Sequence, residues 1–405
     1  MRNTTLPALL TAEAVSSTGS AMTFVALPWF VLVTSGSATK MSVVLAAEIL
    51  PMALFGIPSG SVVARLGART TMLLSDLVRA PLVALVPVLH WSGHLTLPLL
   101  VVIVFLLGVF TAPYAASQRS IIPEVLGDDE KAVAKASGLF GGAAHLPIVI
   151  GPSIAGVLIA WLGTAPLLVV DGATFLFAFV VVLAFVRGGR PVVADEESRG
   201  VLAGVRYLAR DRLLGPMTLT VIVLDGAANG ISVAVPLLAY TRYDHDPHIA
   251  GWIFTAFGIG AVAGSVLVMR LLDRFAPLKL ASFGIIAATL PLWIVVAPVA
   301  WPVVGGAVVL CGLFVPLINA PIMGMITTRP PVALRAKVMT AVMAASGSGG
   351  PMGRLVVGPV YRVGGNAAVW TEIAGGMTLG ALLFIAAAAR GRRETVPLEV
   401  PVTSS

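Results

Sequence analysis

Long apolar runs dominate the chain, each broken by a charge or a cluster of glycine and proline. Twelve such runs can be read. In the first half they cover Leu6–Val33, Met41–Val63, Met72–His90, Leu95–Tyr114, Leu139–Leu162 and Ala165–Val186. In the second they cover Leu214–Tyr240, Ile249–Leu271, Leu278–Val299, Val303–Met325, Val338–Val360 and Val369–Ala389. About 20 mostly apolar residues in an α-helix cross the ~30 Å hydrocarbon layer of a bilayer. The pattern therefore predicts an all-α membrane protein with twelve transmembrane helices. The first run is too long, and too poor in early basic residues, for a cleaved signal peptide, so it is read as the first span.

Composition supports that solvent. Of 405 residues, 58% are hydrophobic and only 11% charged, with a mean hydropathy of +0.97. Soluble domains carry about 25% charged residues, so a soluble enzyme, a nucleic-acid binder and a disordered scaffold are all excluded. The net charge of +7 has a topological explanation. If the N-terminus is cytoplasmic, the inner segments hold 21 of the 26 basic residues. The outer loops then hold Lys40, Arg242 and Arg362, and Arg79 and Arg354 fall within spans. The positive-inside rule then places both termini in the cytoplasm. One cysteine, Cys311, excludes a disulfide framework and a multi-thiolate metal site. No metal, cofactor or nucleic-acid partner is expected, and no phosphate-loop motif for ATP hydrolysis occurs.

The spans fall into two similar halves. Gly56-Ile-Pro-Ser-Gly60-Ser61-Val62-Val63 recurs as Gly260-Ala-Val-Ala-Gly264-Ser265-Val266-Leu267. Val25-Ala-Leu-Pro28 answers Val233-Ala-Val-Pro236, and Gly151-Pro152 answers Gly358-Pro359. Parallel six-helix repeats are an arrangement of alternating-access carriers, with the substrate site between the repeats near the midplane. The predicted organisation is an N-terminal half over 1–187, a cytoplasmic linker over 188–213, a C-terminal half over 214–390 and a cytoplasmic tail over 391–405. Within the linker, Gly204–Arg212 reads as a short amphipathic helix on the membrane surface, whose simplest role is a tether.

Charges at bilayer depth cost ~2.5–3.5 kcal/mol or more each, so they are functional candidates by default. Six carboxylates qualify: Glu13, Glu48, Asp76, Asp171, Asp225 and Glu372. Asp76 and Arg79 are three apart on one helix face and are expected to pair structurally.

Several stretches resemble the major facilitator superfamily, and within it the multidrug, macrolide and siderophore (enterobactin) exporter-like branch. The resemblance covers essentially the whole chain. Phe24–Ala38 is similar to that branch's first span and outer loop. Gly60-Ser-Val-Val-Ala-Arg65-Leu-Gly67-Ala-Arg69 resembles the superfamily's basic loop between spans two and three. Gly142 through Gly151-Pro152-Ser-Ile-Ala-Gly156 resembles the antiporter motif of span five, and Leu168–Phe175 the branch's sixth span. Two departures stand out. Ala64 occupies the place of an acidic residue before Arg65, and Val104 and Phe105 lie near Gly108 where the superfamily carries an arginine.

The resemblance implies that spans one, four, seven and ten line the cavity. On that reading Glu13 and Asp225 are candidates for proton coupling or for binding a cationic substrate. The alternative for each is a structural hydrogen bond to Ser16, Ser17 or Asn229. Glu48 and Arg354 lie in the outer halves of spans two and eleven and are a candidate gate pair, the alternative being Arg354 with Glu372. Trp29, Phe110, Tyr114, Asn319 and Met323 are candidate cavity residues, with ordinary packing as the alternative. Asp171 and Cys311 are expected to be structural and inert. The function implied is proton-coupled efflux of an amphipathic drug-like or siderophore-like molecule across the inner membrane, with no enzymatic activity. An importer or facilitator of a metabolite, sugar or lysolipid remains open. So, less favoured, do the membrane subunit of an ATP-driven transporter and a non-transporting receptor. The protein is expected to be monomeric in the bilayer.

Overall fold

The computed structural model describes residues 4–126, 130–186, 201–211, 213–331 and 334–392. Among them the regular structure is entirely helical. The N-terminal half comprises α1 (Thr5–Ser35), α2 (Ala38–Leu66), α3 (Ala68–Trp91), α4 (Leu97–Leu126), α5 (Glu130–Leu162) and α6 (Thr164–Phe185). The linker carries α7 (Val201–Arg210), and the C-terminal half begins with α8 (Leu214–Arg242), α9 (Pro247–Leu272) and α10 (Pro277–Thr289), which tightens into a 3-10 turn over Leu290–Val296. It ends with α11 (Trp301–Thr328) and α12 (Arg335–Arg392). Ten helical stretches among the described residues are long and apolar enough to cross a membrane. In α5 the apolar part is the shorter Val149–Leu162.

Local chemistry sets the helix ends. Gly36 closes α1 at φ 60°, its N–H returning to the Leu32 carbonyl, and Ser37 opens α2 by accepting from the Lys40 amide. Gly67, at φ 80°, joins α2 to α3. That is a left-handed conformation in which a side chain is strained. The α12 run is two helical limbs, 335–363 and 366–392, separated by non-helical backbone at Gly364 and Gly365.

Several boundaries differ from the apolar runs. The helix α4 continues past Tyr114 to Leu126, and α5 begins at Glu130, ahead of its apolar run at Leu139. Hydropathy marks where the chain meets lipid, whereas a helix continues for as long as its backbone hydrogen bonds do. The amphipathic helix starts at Val201, three residues before Gly204, and packs on α12 and α8. Linker residues 187–200, Arg212 and the tail from 393 lie outside the described residues.

Equivalent contacts recur in the two halves. The helix α1 packs on α5 and α6, α2 on α4, and α3 on α4 and α6. Likewise α8 packs on α12, α9 on α11, and α10 on α11. The halves meet chiefly through α2 against α12 and α5 against α9.

The buried cores show how the halves join. One core is shared between them. It holds Met22, Val25, Leu27 and Trp29 to Leu32 of α1, Met41 and Leu45 of α2, Val233, Val235 and Leu238 of α8, Ile253 of α9 and Val357 of α12. At the end that carries the start of α1 there are two separate cores. One belongs to the N-terminal half (Leu9, Ala12, Val63, Met72, Ile121, Phe140, Val182). The other belongs to the C-terminal half (Leu208, Leu214, Met217, Ile285, Ile326, Val338, Phe384). The bundle is thus closed across one end and divided at the other. Large apolar side chains such as Trp161, Leu219, Met269 and Leu382 stand exposed around it. Exposed apolar surface on that scale suits hydrocarbon and not water.

Candidate functional site

At the closed end, small residues bring the halves together. A Cβ built on Gly251 of α9 would run into the Pro152 carbonyl of α5, and one on Gly156 would lie 3.0 Å from the Pro247 carbonyl. Gly151, the other half of the Gly-Pro pair, packs instead on Ala21 of α1. Ser153 and Thr255 hydroxyls are 2.5 Å apart across the α5–α9 seam. On the other side, Gly358 of α12 sits against Thr39 and Ser42 of α2. Aromatic pairs complete the seam: Phe24 with Phe254 at 5.1 Å, and Trp29 with Tyr240 at 5.8 Å.

Within this seam Arg354 Nη1 of α12 donates to Glu48 Oε2 of α2 at 3.1 Å and to the Leu45 carbonyl, also at 3.1 Å. This is an ion pair between the halves, and Glu372 is not its partner. Behind it, α8 and α12 approach backbone to backbone. A Cβ on Gly353 would overlap the Gly226 carbonyl, so only glycine permits the crossing. The residues next to these glycines are Arg354 and Asp225, and the two lie within electrostatic reach of each other. Asn229, one turn along, donates to the Asp225 carbonyl at 3.0 Å and to its Oδ2 at 3.2 Å.

Glu13 occupies a different setting. It is fully buried within the N-terminal half. Its carboxylate accepts from Ser17 at 2.7 Å, Gln118 Nε2 at 2.6 Å and Tyr114 at 3.1 Å. Tyr114 also carries the Arg79 guanidinium 4.0 Å over its ring, and Phe175 lies 4.3 Å from the same group. Arg79 Nη2 donates to Asp76 Oδ1 at 2.5 Å. Asp171 accepts from Thr23 at 2.6 Å and Thr174 at 3.3 Å.

These placements correct two expectations. Glu13 and Tyr114 do not face the space between the halves, because hydrogen bonding from α1 and α4 turns both into the N-terminal half. Trp29 is likewise packed into the closed seam and lines no cavity, because Tyr240 covers it. Phe110 is half-buried, and Asn319 and Met323 are exposed, on α4 and α11. Those two helices make no substantial contact with the opposite half.

Arg65 and Gly60 are exposed on α2, and Gly142 on α5 has open space where a side chain would stand. Arg69 folds onto the end of α6, its Nε donating to the Val186 carbonyl at 2.5 Å and its Nη2 to Leu183 at 3.0 Å. The carboxylate missing at Ala64 has a neighbour at the same turn, since Glu124 Oε2 of α4 accepts from the Ala68 amide at 2.7 Å. Sequence reasoning missed Gln118 and the position of Arg79 at the centre of the buried cluster. Gln118 carried a signal, because it falls four residues after Tyr114 and so shares its helix face.

Known proteins resemble this chain throughout its length. The family described as transmembrane secretion effector matches residues 1–391. The multidrug efflux pump Tap of Mycolicibacterium fortuitum is 27% identical over 383 residues, covering 90% of this chain and 91% of that protein. Tap of Mycobacterium tuberculosis is 25% identical over 389 residues, covering 90% and 89%. Among solved structures, the nucleoside transporter NupG superposes with a TM-score of 0.75 at 14% identity, covering 94% of this chain and 98% of that one. An inward-facing, occupied bacterial homologue of the lysosomal transporter Spinster gives 0.72 at 14% identity, covering 96% and 95%.

Proposed function

The chain belongs to the transmembrane secretion effector family of the major facilitator superfamily, and from that membership we propose that it is a secondary exporter. It moves an amphipathic small molecule outward across the cytoplasmic membrane by alternating access, in exchange for protons, and works as a monomer. Relatives named as multidrug efflux pumps support the direction and the substrate class. The observation that carries the mechanism is the arrangement of the cores, one continuous across one end and two separate at the other. Two bodies joined at one end and parted at the other are what a rocking carrier needs in each of its states.

In this reading there are twelve spans, because each limb of α12 crosses the membrane and α5 crosses with its apolar part. The halves are 1–187 and 214–390, joined by a linker over 188–213 and followed by a tail over 391–405. Both termini are cytoplasmic by the distribution of Lys and Arg. The divided end is then cytoplasmic, and the protein is inward-facing. Phe110, Asn319 and Met323 border the open space, where apolar and amide surfaces suit an amphipathic substrate. The Glu48–Arg354 pair is the outer gate, and it must break for the outward-facing state to form. Asp225 takes the proton or the substrate's positive charge. Glu13 senses protonation from within the N-terminal half.

The test is uptake of the cationic dye ethidium into everted vesicles under an imposed pH gradient. Wild type is expected to accumulate dye, and Asp225→Asn and Glu13→Gln to lose the gradient-driven component. Accumulation of dye in intact cells, in place of extrusion, overturns the export direction. Gradient-driven uptake that is unchanged in both variants overturns the residue assignment.

A further inference from the structure

Four ionisable groups are buried together in the N-terminal half: Glu13 of α1, Asp76 and Arg79 of α3, and Asp171 of α6. Three are carboxylates and one is a cation. Glu48 of α2, whose charge also acts on Asp171, is already paired with Arg354. Tyr114 of α4 supplies a phenol to Glu13. Arg79 is the cation that acts on both Glu13 and Asp76. With every carboxylate ionised, these four groups would hold two negative charges more than positive ones, away from water. An apolar interior does not tolerate such an excess, and buried carboxylates escape it by binding protons.

Hydrogen bonding distinguishes the three carboxylates. Glu13 accepts from three donors and Asp171 from two, with every oxygen of both carboxylates engaged, and hydrogen bonds to a carboxylate favour its charged form. Asp76 differs. Its Oδ1 takes the Arg79 bond, while its Oδ2 is buried with no hydrogen-bond partner. Arg79 Nε is also buried without a partner. A proton can therefore add to Asp76 Oδ2 without breaking any existing hydrogen bond. Once Asp76 is neutral, the guanidinium has lost its anion, and Glu13 becomes the carboxylate that attracts it. Tyr114 already links the two, with its ring under Arg79 and its hydroxyl on Glu13.

We infer that Asp76 is the proton-binding residue of the N-terminal half, and that Arg79 transmits its protonation to Glu13 and so to α1. In the proton step a hydronium ion gives its proton to Asp76 Oδ2: one of its O–H bonds breaks, an O–H bond forms on Oδ2, water is left behind, and the net charge of the cluster rises by one. The Arg79–Asp76 ion pair becomes a hydrogen bond from the guanidinium to a neutral acid. Helix α1 packs on α5 and α6 and carries Trp29 into the closed seam. A stronger pull from α3 on Glu13 thus acts on a helix that joins the halves. The inference rests on the proton-coupled reading above.

The test is infrared spectroscopy of the full-length chain reconstituted in lipid, titrated with pH, together with the vesicle assay. Wild type is expected to show a carboxylic C=O band that disappears as pH rises. Asp76→Asn should lose part of that band and its gradient-driven ethidium uptake, while retaining downhill dye movement. Asp76→Glu should keep the band at a displaced frequency, which guards against a misfolded Asn variant. Arg79→Gln should hold the band to higher pH, because the competing cation is gone. A band unchanged in the Asn variant, or unshifted in the Glu variant, overturns the inference, as does uptake that survives Asp76→Asn. If wild-type uptake ignores the gradient, the proton-coupled reading itself has failed. The infrared titration still decides whether Asp76 binds the proton.

Discussion

Replacing Glu48 by Gln removes one charge from the contact between the halves while keeping the size of the side chain. Two unit charges 3.1 Å apart attract by about 5 kcal/mol at an effective dielectric of about 20. Desolvation offsets much of this. The Glu48 side chain is 31% exposed and that of Arg354 9%, so the pair stands between the exposed and the buried regimes. A hydrogen bond to a charged group contributes a net ~1.5–3 kcal/mol, and we take about 2 kcal/mol for this one. If the bond exists only while the outer end is closed, its loss moves the closed-to-open ratio by roughly 30-fold, since ~1.4 kcal/mol is tenfold. The assay is pulsed electron resonance between spin labels introduced by Lys40→Cys and Arg362→Cys, both exposed near the outer ends of α2 and the first limb of α12. Cys311 is the sole native cysteine and is buried, so labelling is confined to the introduced sites. The long-distance population should grow in Glu48→Gln and in Arg354→Gln. The reversed pair, Glu48→Arg with Arg354→Glu, should recover most of the short distance. Unchanged distributions in both single variants, or no recovery on reversal, would refute the gate.

Three further outcomes follow from other contacts. Gly251→Val should open the α5–α9 seam, because its Cβ would meet the Pro152 carbonyl. Overpacking costs ~1–3 kcal/mol, which labels placed across that seam would record as a shift to longer distance. Asp211 caps α8, its Oδ1 accepting from the amides of Leu213 at 2.9 Å and Leu214 at 2.8 Å, while Oδ2 pairs with Arg329 at 3.0 Å. Asp211→Ala should therefore cost about 1 kcal/mol of stability, read as a lower melting temperature in detergent. Burial alone would push the Asp211 carboxyl up, but the two amides and Arg329 hold it below its ordinary value. Its contribution is thus complete above the unfolded carboxylate range and lost as pH falls through the lowered value. The melting temperatures of wild type and Asp211→Ala should converge in acid; a constant gap would show that the charge contributes nothing.

Much of the fold was legible because hydrocarbon is a simple solvent. Apolar residues accumulate wherever the chain must meet lipid, so the spans stand out without any knowledge of packing. The break at Gly364 and Gly365 falls in the interval left between the apolar runs that end at Val360 and begin at Val369. The extra helix in α4 and α5 was not visible, since beyond the lipid a helix needs only its backbone hydrogen bonds and local capping. The candidate site was legible in part. Intramembrane charge marked Glu13, Asp225, Glu48 and Arg354, because each such group is costly unless something uses or satisfies it.

Which of those charges meet one another was a matter of direction around each helix. Glu13 was expected to face the cavity, yet Ser17, Tyr114 and Gln118 turn it inward. Asp76 and Arg79 pair along one helix face, as their spacing allows, but adjacency in sequence did not reveal that Tyr114, Phe175 and two further carboxylates surround them. The chain by itself determined the solvent, the helical class and the family, since each follows from composition and from residues near one another in sequence. Only the tertiary structure decided that the halves close at one end, and which buried carboxylate keeps one oxygen without a hydrogen-bond partner. Those outcomes depend on the rotation and crossing of helices distant in sequence, where a few degrees separate a satisfied charge from an exposed one.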